Sequence, residues 1–284
     1  MTHAVCRIVV SSLALVAASM VMAQQPSAVL RIIREDIKSG KSAAHEKTEM
    51  AFVRALSKSK YPNYSALESV TGPSQVWFLE RYDSFAALEE TFNMASAEPM
   101  STLMGKLDEQ DGELRTGERT TIATFREELS YQPVPANLPK YRFYSITTVR
   151  VKPGHVDDFE TLCKMLITVW EKSESKQRRV VFGVTSGAPG GTYLMISGME
   201  SLKSMDPPRP AKKGAEAFGA EEWARYQKLY SDIITSTENM LFAVNPKMSY
   251  PSKEFIAADP DFWAPKPKPA VTAKPAAEAK PAVK

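Results

Sequence analysis

Apolar residues in the first half of the chain fall into short dense runs, each with its own period. Val29 to Lys38 is rich in β-branched residues and predicts a strand, which Gly40 ends. From about Ser42 to Lys58 the period becomes helical. Phe52, Val53 and Leu56 form a stripe, extended backwards at the same spacing by Glu49 and His45. After Tyr61-Pro62 a strand is expected over 64–70, a turn over Thr71-Gly72-Pro73-Ser74, and a second strand from Gln75 to Tyr82. Asp83 or Ser84 caps a short helix carrying Phe85 and Leu88. Ser96 with Pro99 opens another, striped by Met100, Leu103, Met104 and Leu107, and Glu118 to Tyr131 closes the unit as a strand. The order is β-α-β-β-α-β.

The same grammar then returns. Tyr141 to Val151 predicts a strand, and Val156 to Glu174 a helix with Phe159, Leu162, Leu166, Val169 and Trp170 inward. Strands over 178–185 and 192–198 flank a glycine-rich hairpin at 187–191. A proline-broken insertion spans 206–219. A long helix follows, with Trp223, Tyr226, Tyr230, Ile233 and Thr237 at helical spacing, and a last strand runs over 238–248. Ile37-Lys38-Ser39-Gly40 echoes as Val151-Lys152-Pro153-Gly154, and Leu129-Ser130-Tyr131 as Met248-Ser249-Tyr250. Between them Pro73 and Trp77 align with Pro189 and Tyr193. The spacing of 114–119 residues exceeds the ~20–50 of a solenoid unit. It marks a duplicated domain: repeats over 28–132 and 141–252, joined by a proline-rich linker at 133–140.

A β-α-β-β-α-β unit places both helices on one face of an antiparallel sheet and leaves the other bare. Large apolar groups occupy both faces of the strands: Tyr141, Phe143 and Val149 on one, Tyr144 and Ile146 on the other. A bare apolar sheet associates, so the two repeats are expected to pack sheet to sheet. In this the chain resembles the dimeric α/β-barrel superfamily, of the antibiotic-biosynthesis-monooxygenase and NIPSNAP type. The resemblance rests on Val149-Arg150-Val151-Lys152-Pro153-Gly154-His155 through Phe159, and on the aromatic third strands around Trp77 and Tyr193. It implies an α+β fold of two tandem ferredoxin-like units, closed within one chain as a pseudo-dimeric barrel. It allows a cofactor-independent monooxygenase-like activity without specifying one.

The chain ends have another character. Arg7, the apolar run Ile8 to Met20, and Val21-Met22-Ala23 before Gln24 read as a cleaved export signal over 1–23. This implies a periplasmic or secreted protein with no membrane span after cleavage. Removing it leaves Cys163 alone, so no internal disulfide is possible. Cys163 sits in an apolar helical pattern and reads as core. Residues 264–284 are Pro, Ala and Lys in the main, an extended tail unable to bury a face. The tail is either solvated or a cationic tether to an anionic envelope polymer. Without leader and tail, the 36 basic and 33 acidic residues become 30 and 32, so the body offers no electrostatic case for nucleic acid.

No motif assigns a reaction. His45 stands on the inward stripe where the second copy has Phe159, and is the candidate base or ligand-orienting group. His45-Glu46-x-x-Glu49 lacks the second histidine of a zinc-protease helix, and with only His3, His45 and His155 a multi-histidine metal site is not expected. Gly40-Lys41-Ser42 is too short to wrap a phosphate, so no cofactor is expected. His155, in the first turn of its helix, should be exposed. An aromatic supply from Trp77, Trp170, Tyr193, Trp223 and Tyr226, with Glu49 and with Arg81 at the end of a strand, could line a pocket for a small apolar molecule. The expected role is therefore small-molecule binding, with a monooxygenase-like enzyme or an envelope interaction protein as alternatives.

Overall fold

The computed structural model describes residues 26–134, 137–206, Glu216 and 218–264. The expected leader, nearly all of the Lys-rich tail and most of the insertion at 206–219 lie outside them. The first half comprises β1 (Val29–Ile37), α1 (Ser42–Leu56), β2 (Tyr64–Ser69), β3 (Gln75–Tyr82), α2 (Phe85–Ser96), α3 (Met100–Gly112) and β4 (Arg115–Phe125). The second comprises β5 (Phe143–Val151), α4 (Val156–Lys172), β6 (Val180–Ser186), β7 (Thr192–Met199), α5 (Ala220–Ile233) and β8 (Ile234–Val244). Two short helices follow, α6 (Lys253–Ala258) and α7 (Pro260–Trp263). Among the described residues no helix is long and apolar enough to cross a membrane.

All eight strands form one closed antiparallel barrel in the order β1-β3-β2-β8-β5-β7-β6-β4. Within it the halves run β4-β1-β3-β2 and β8-β5-β7-β6, the same order twice. The sheets face each other across a common core of Leu30, Ile32, Leu67, Trp77, Ile146, Leu194 and Phe242 among others. They also join edge to edge, β2 on β8 and β4 on β6, which leaves no unpaired edge. Helices cover the outside. Phe159, Leu162 and Cys163 of α4 pack on Val149, Val181 and Tyr193, and Leu56 of α1 packs on Ala66, Val76 and Phe78. Trp263 of α7 enters the barrel core, and its indole donates to the Pro139 carbonyl at 2.8 Å.

The two repeated motifs have structural jobs. In Lys38-Ser39-Gly40 and Lys152-Pro153-Gly154 the glycines take φ of +73° and +85°, which other residues adopt at a cost. The lysines reach carbonyls at the ends of the helices preceding β4 and β8: Lys38 Nζ to Glu113 O at 2.7 Å, and Lys152 Nζ to Asp232 O. The second motif crosses between halves. Ser130 Oγ accepts from the Val181 N–H of β6, and Ser249 Oγ from the Ala66 N–H of β2, both at 2.9 Å. Leu129 is buried in the core of the second half and Met248 in that of the first.

The structure corrects four sequence expectations. The strand expected over 118–131 is β4, which starts at Arg115 and ends at Phe125, because the chain then leaves its own sheet. Thr237 is not on a helix: α5 ends at Ile233, and the β-branched run beyond it enters β8. The third strands align one residue away from the expected match. Glu35 pairs with Val76 and Val149 with Tyr193, so Tyr193 corresponds to Val76 and Trp77 to Leu194. A one-residue slip exchanges sheet faces: Trp77 points into the barrel and Tyr193 toward α4. Tyr141, expected to share a face with Phe143 and Val149, precedes β5 and packs on the barrel core.

Candidate functional site

Strand alternation sends Glu35 of β1 to the helix side of the sheet. There α1 presents His45 and, one turn later, Glu49, while α3 contributes Asp111 from its last turn. Arg115 opens β4, and Glu118 pairs with Glu35 across the sheet. His45 and Asp111 are each 1 % exposed, Glu35 and Glu49 5 %, so four ionisable groups are buried side by side. Buried charge is costly unless paired, and the pairing here is partial.

His45 Nε2 lies 2.7 Å from Glu35 Oε2 and 3.6 Å from Asp111 Oδ2. The other oxygen of each carboxylate is held elsewhere: Glu35 Oε1 by Arg115 at 2.6 Å, Asp111 Oδ1 by the Thr48 hydroxyl at 2.9 Å. Asp111 Oδ2 is buried without a hydrogen-bond donor among the described residues. Arg115 also contacts Asp108 and Glu118. Burial and the neighbouring charges of Glu35 and Asp111 push the Glu49 carboxyl well above the usual range, with Arg115 opposing. Burial likewise raises Asp111, against the pull of His45. Burial alone would lower Arg115, but Glu35, Asp108 and Glu118 outweigh it and hold the guanidinium charged.

Glu35, Glu49, Arg115 and Glu118 line a cavity of about 350 Å³ between the sheet and helices α1 and α3. His45 and Asp111 stand behind it. Its apolar wall includes Ile33, Phe52, Phe78 and Met104. Glu80 closes the floor, 2 % exposed and held by Arg31 at 2.9 Å, Tyr61 at 3.0 Å and Tyr82 at 2.7 Å. The lining carries five carboxylates, from Glu35, Glu49, Glu80, Asp108 and Glu118, against the single guanidinium of Arg115.

The second half solves the same position without charge. Glu35 becomes Val149, His45 becomes Phe159, Glu49 becomes Cys163, and the strand positions of Arg115 and Glu118 become Ile234 and Thr237. Phe159 stacks on Tyr193 at 4.4 Å, and burial pushes the Cys163 thiol up to about 11.

The candidate residues named from the sequence therefore separate. His45 and Glu49 come together, both buried. Trp77 is in the barrel under the Arg34 guanidinium at 4.0 Å, and Tyr193 is core packing. Trp170 stacks on Tyr131 and lies under Arg179 at 4.4 Å. Trp223 and Tyr226 stack on each other along α5 at 5.4 Å. Arg81 lines a second chamber, of about 420 Å³, at one mouth of the barrel with Leu30, Tyr144, Phe182, Arg178 and Phe255. His155 is half-exposed and meets Asp158 at 2.7 Å. Sequence reasoning missed Glu35, Asp111, Arg115 and Glu118. Glu35, Arg115 and Glu118 fall opposite uncharged Val149, Ile234 and Thr237, a correspondence that the strand ladders fix.

No protein-family model matches the chain, and no curated protein matches it. Solved structures do. An anthrone oxidase-like protein is 13 % identical, with 81 % of this chain and 96 % of that one aligned at a TM-score of 0.54. A protein proposed to be a monooxygenase, from Fusobacterium nucleatum, is 12 % identical over 77 % of this chain and 93 % of that one, TM-score 0.49. Chlorite dismutase from Candidatus Nitrospira defluvii is 10 % identical over 81 % and 94 %, TM-score 0.44. The likeness to the anthrone oxidase-like protein concerns the fold alone, a ferredoxin-like α+β barrel.

Proposed function

We propose that this protein binds a small molecule in the cavity beneath α1 and α3, and that its occupant is neutral or cationic with an apolar body. The observation that carries this is the difference between the halves. One fold position holds a packed apolar core in the second half and an open, acid-lined cavity of about 350 Å³ in the first. That volume lies in the range of small-molecule sites. Apolar parts of the occupant would rest on Phe52, Phe78 and Met104, and a donor group would face Glu49 and Glu35. An anion would meet a surplus of carboxylates.

Gly105 of α3 sits at the rim, where an added Cβ meets nothing within 4 Å. Gly105→Trp therefore occludes the mouth while favouring the helix. Full-length mature protein, screened by thermal shift against neutral aromatics and small amines, should yield ligands that Gly105→Trp no longer binds. Ligands that bind both forms alike would sink the assignment.

A second reading makes the occupant a substrate. The anthrone oxidase-like neighbour supports it by fold only; the local support is the Glu35–His45 pair beside the cavity, which could take a proton from a bound phenol or enol. We also read the chain as a tandem pseudo-dimer of the antibiotic-biosynthesis-monooxygenase and NIPSNAP type, supported by the doubled strand order. The leader-like segment over 1–23 supports action outside the cytoplasm. N-terminal sequencing of protein recovered from the native host should start at Gln24; an intact Met1 would contradict export.

A further inference from the structure

We infer that Glu35, His45, Glu49 and Asp111 form a binding site for one first-row divalent cation. This deepens the small-molecule reading, because the ion would stand at the inner end of the same cavity. One ligand atom from each residue lies within 4.8 Å of the others. Ion–ligand bonds of about 2.0–2.2 Å put the ligand atoms of a tetrahedral shell roughly 3.3–3.6 Å apart, so the widest pair must close by about one ångström or slightly more as the ion enters.

Two further observations point to an ion and not to a closed ion-pair network. Asp111 Oδ2 is fully buried and accepts no hydrogen bond among the described residues; Arg115 Nε at 3.5 Å and His45 Nε2 at 3.6 Å face it beyond bonding geometry. In addition, two of the three carboxylates have their outer oxygen fixed. Arg115 holds Glu35 Oε1 and Thr48 holds Asp111 Oδ1, so that Oε2 and Oδ2 both turn toward His45 Nε2, at 2.7 and 3.6 Å. Such outer contacts orient metal ligands. Glu49 and Glu35 border the cavity, which gives an entry path and leaves an open coordination position toward a bound molecule.

The donor set narrows the ion. One imidazole with three carboxylates suits Mn²⁺, Fe²⁺ or Zn²⁺; Ca²⁺ and Mg²⁺ prefer all-oxygen shells, and Cu⁺ prefers sulfur. Binding would replace the proton on His45 Nε2. Only Arg115 brings permanent positive charge here, against three carboxylates in the set and two more from Asp108 and Glu118.

Dialysed full-length protein, titrated with Mn²⁺ and read by loss of the free-ion electron paramagnetic signal, should bind one ion per chain. Zn²⁺ should displace it, and spin-echo modulation from one imidazole nitrogen should appear. Glu49→Gln, nearly isosteric, should weaken binding at least tenfold. Glu35→Val with His45→Phe copies Val149 and Phe159 of the second half, so it should fold, and it should weaken binding at least a hundredfold. An undiminished free-ion signal, binding without nitrogen modulation, or binding that survives the double substitution would overturn the inference. Because this titration uses Mn²⁺ alone, Mn²⁺ binding with no small-molecule ligand defeats only the functional reading, and the converse result defeats only the ion site.

Discussion

His45 and Phe159 occupy one position in two copies of the same packing, one turn into the helix above the sheet. Phe159 needs only neighbours, and Tyr193 supplies them. His45 needs partners, and its partners bring more charge than it neutralises. A buried polar set of this kind is weak evidence for stability, since the second half fills the positions of Glu35, His45 and Glu49 with Val149, Phe159 and Cys163. Cys163, equivalent to Glu49, shows the contrast in its titration. Its thiol is pushed up to about 11 by burial, so between roughly pH 9 and 11 the unfolded chain loses a proton that the folded chain keeps. That contribution to stability is complete below this window and declines as pH rises through it, by about 2–3 kcal/mol in all. Chemical denaturation of Cys163→Ala should show a shallower fall in stability over that range than the parent protein. Equal slopes would contradict the burial assigned to the thiol.

Among elements, those with a strong period of their own were legible. The stripe from His45 to Leu56 and the one from Phe159 to Val169 gave α1 and α4 almost to the residue at their starts. What the sequence hid was the exchange between halves. Ser130 and Ser249 look like strand ends, because nothing local records that each hydroxyl serves the other half's strand. Likewise Trp77 and Tyr193 look equivalent until the ladder shows them on opposite faces. The helices α6 and α7 escaped notice because four aromatic and aliphatic residues, Phe255, Ile256, Phe262 and Trp263, adjoin a Pro-, Ala- and Lys-rich sequence that carries no hydrophobic period. Both serines are buried. Ser130→Ala and Ser249→Ala each leave a buried N–H without an acceptor, which costs about 1–3 kcal/mol. Urea midpoints should fall for both; no change in either would show the crossover contacts to be incidental.

For the molecule as a whole, closure was foreseeable because a two-faced apolar sheet requires cover. The asymmetry was foreseeable only in part. His45 against Phe159 announced a difference, but Asp111, Arg115 and Glu118 lie some 60–80 residues away, and only the fold brings them to it. The result is a barrel with equivalent halves, an outer core built on Phe159, Leu162 and Cys163 on one side and an acid-lined cavity on the other. The barrel-mouth chamber around Arg81 is a separate volume, shared by both halves. Binding in the first-half cavity, as proposed, is tested most directly by one ligand on two proteins. A ligand present at 100 times its dissociation constant stabilises by about 2.7 kcal/mol, a shift easily read. Calorimetric titration should give affinity for the parent protein and at least a tenfold weaker affinity for Gly105→Trp. Equal affinity in the two would place the ligand elsewhere and contradict the account.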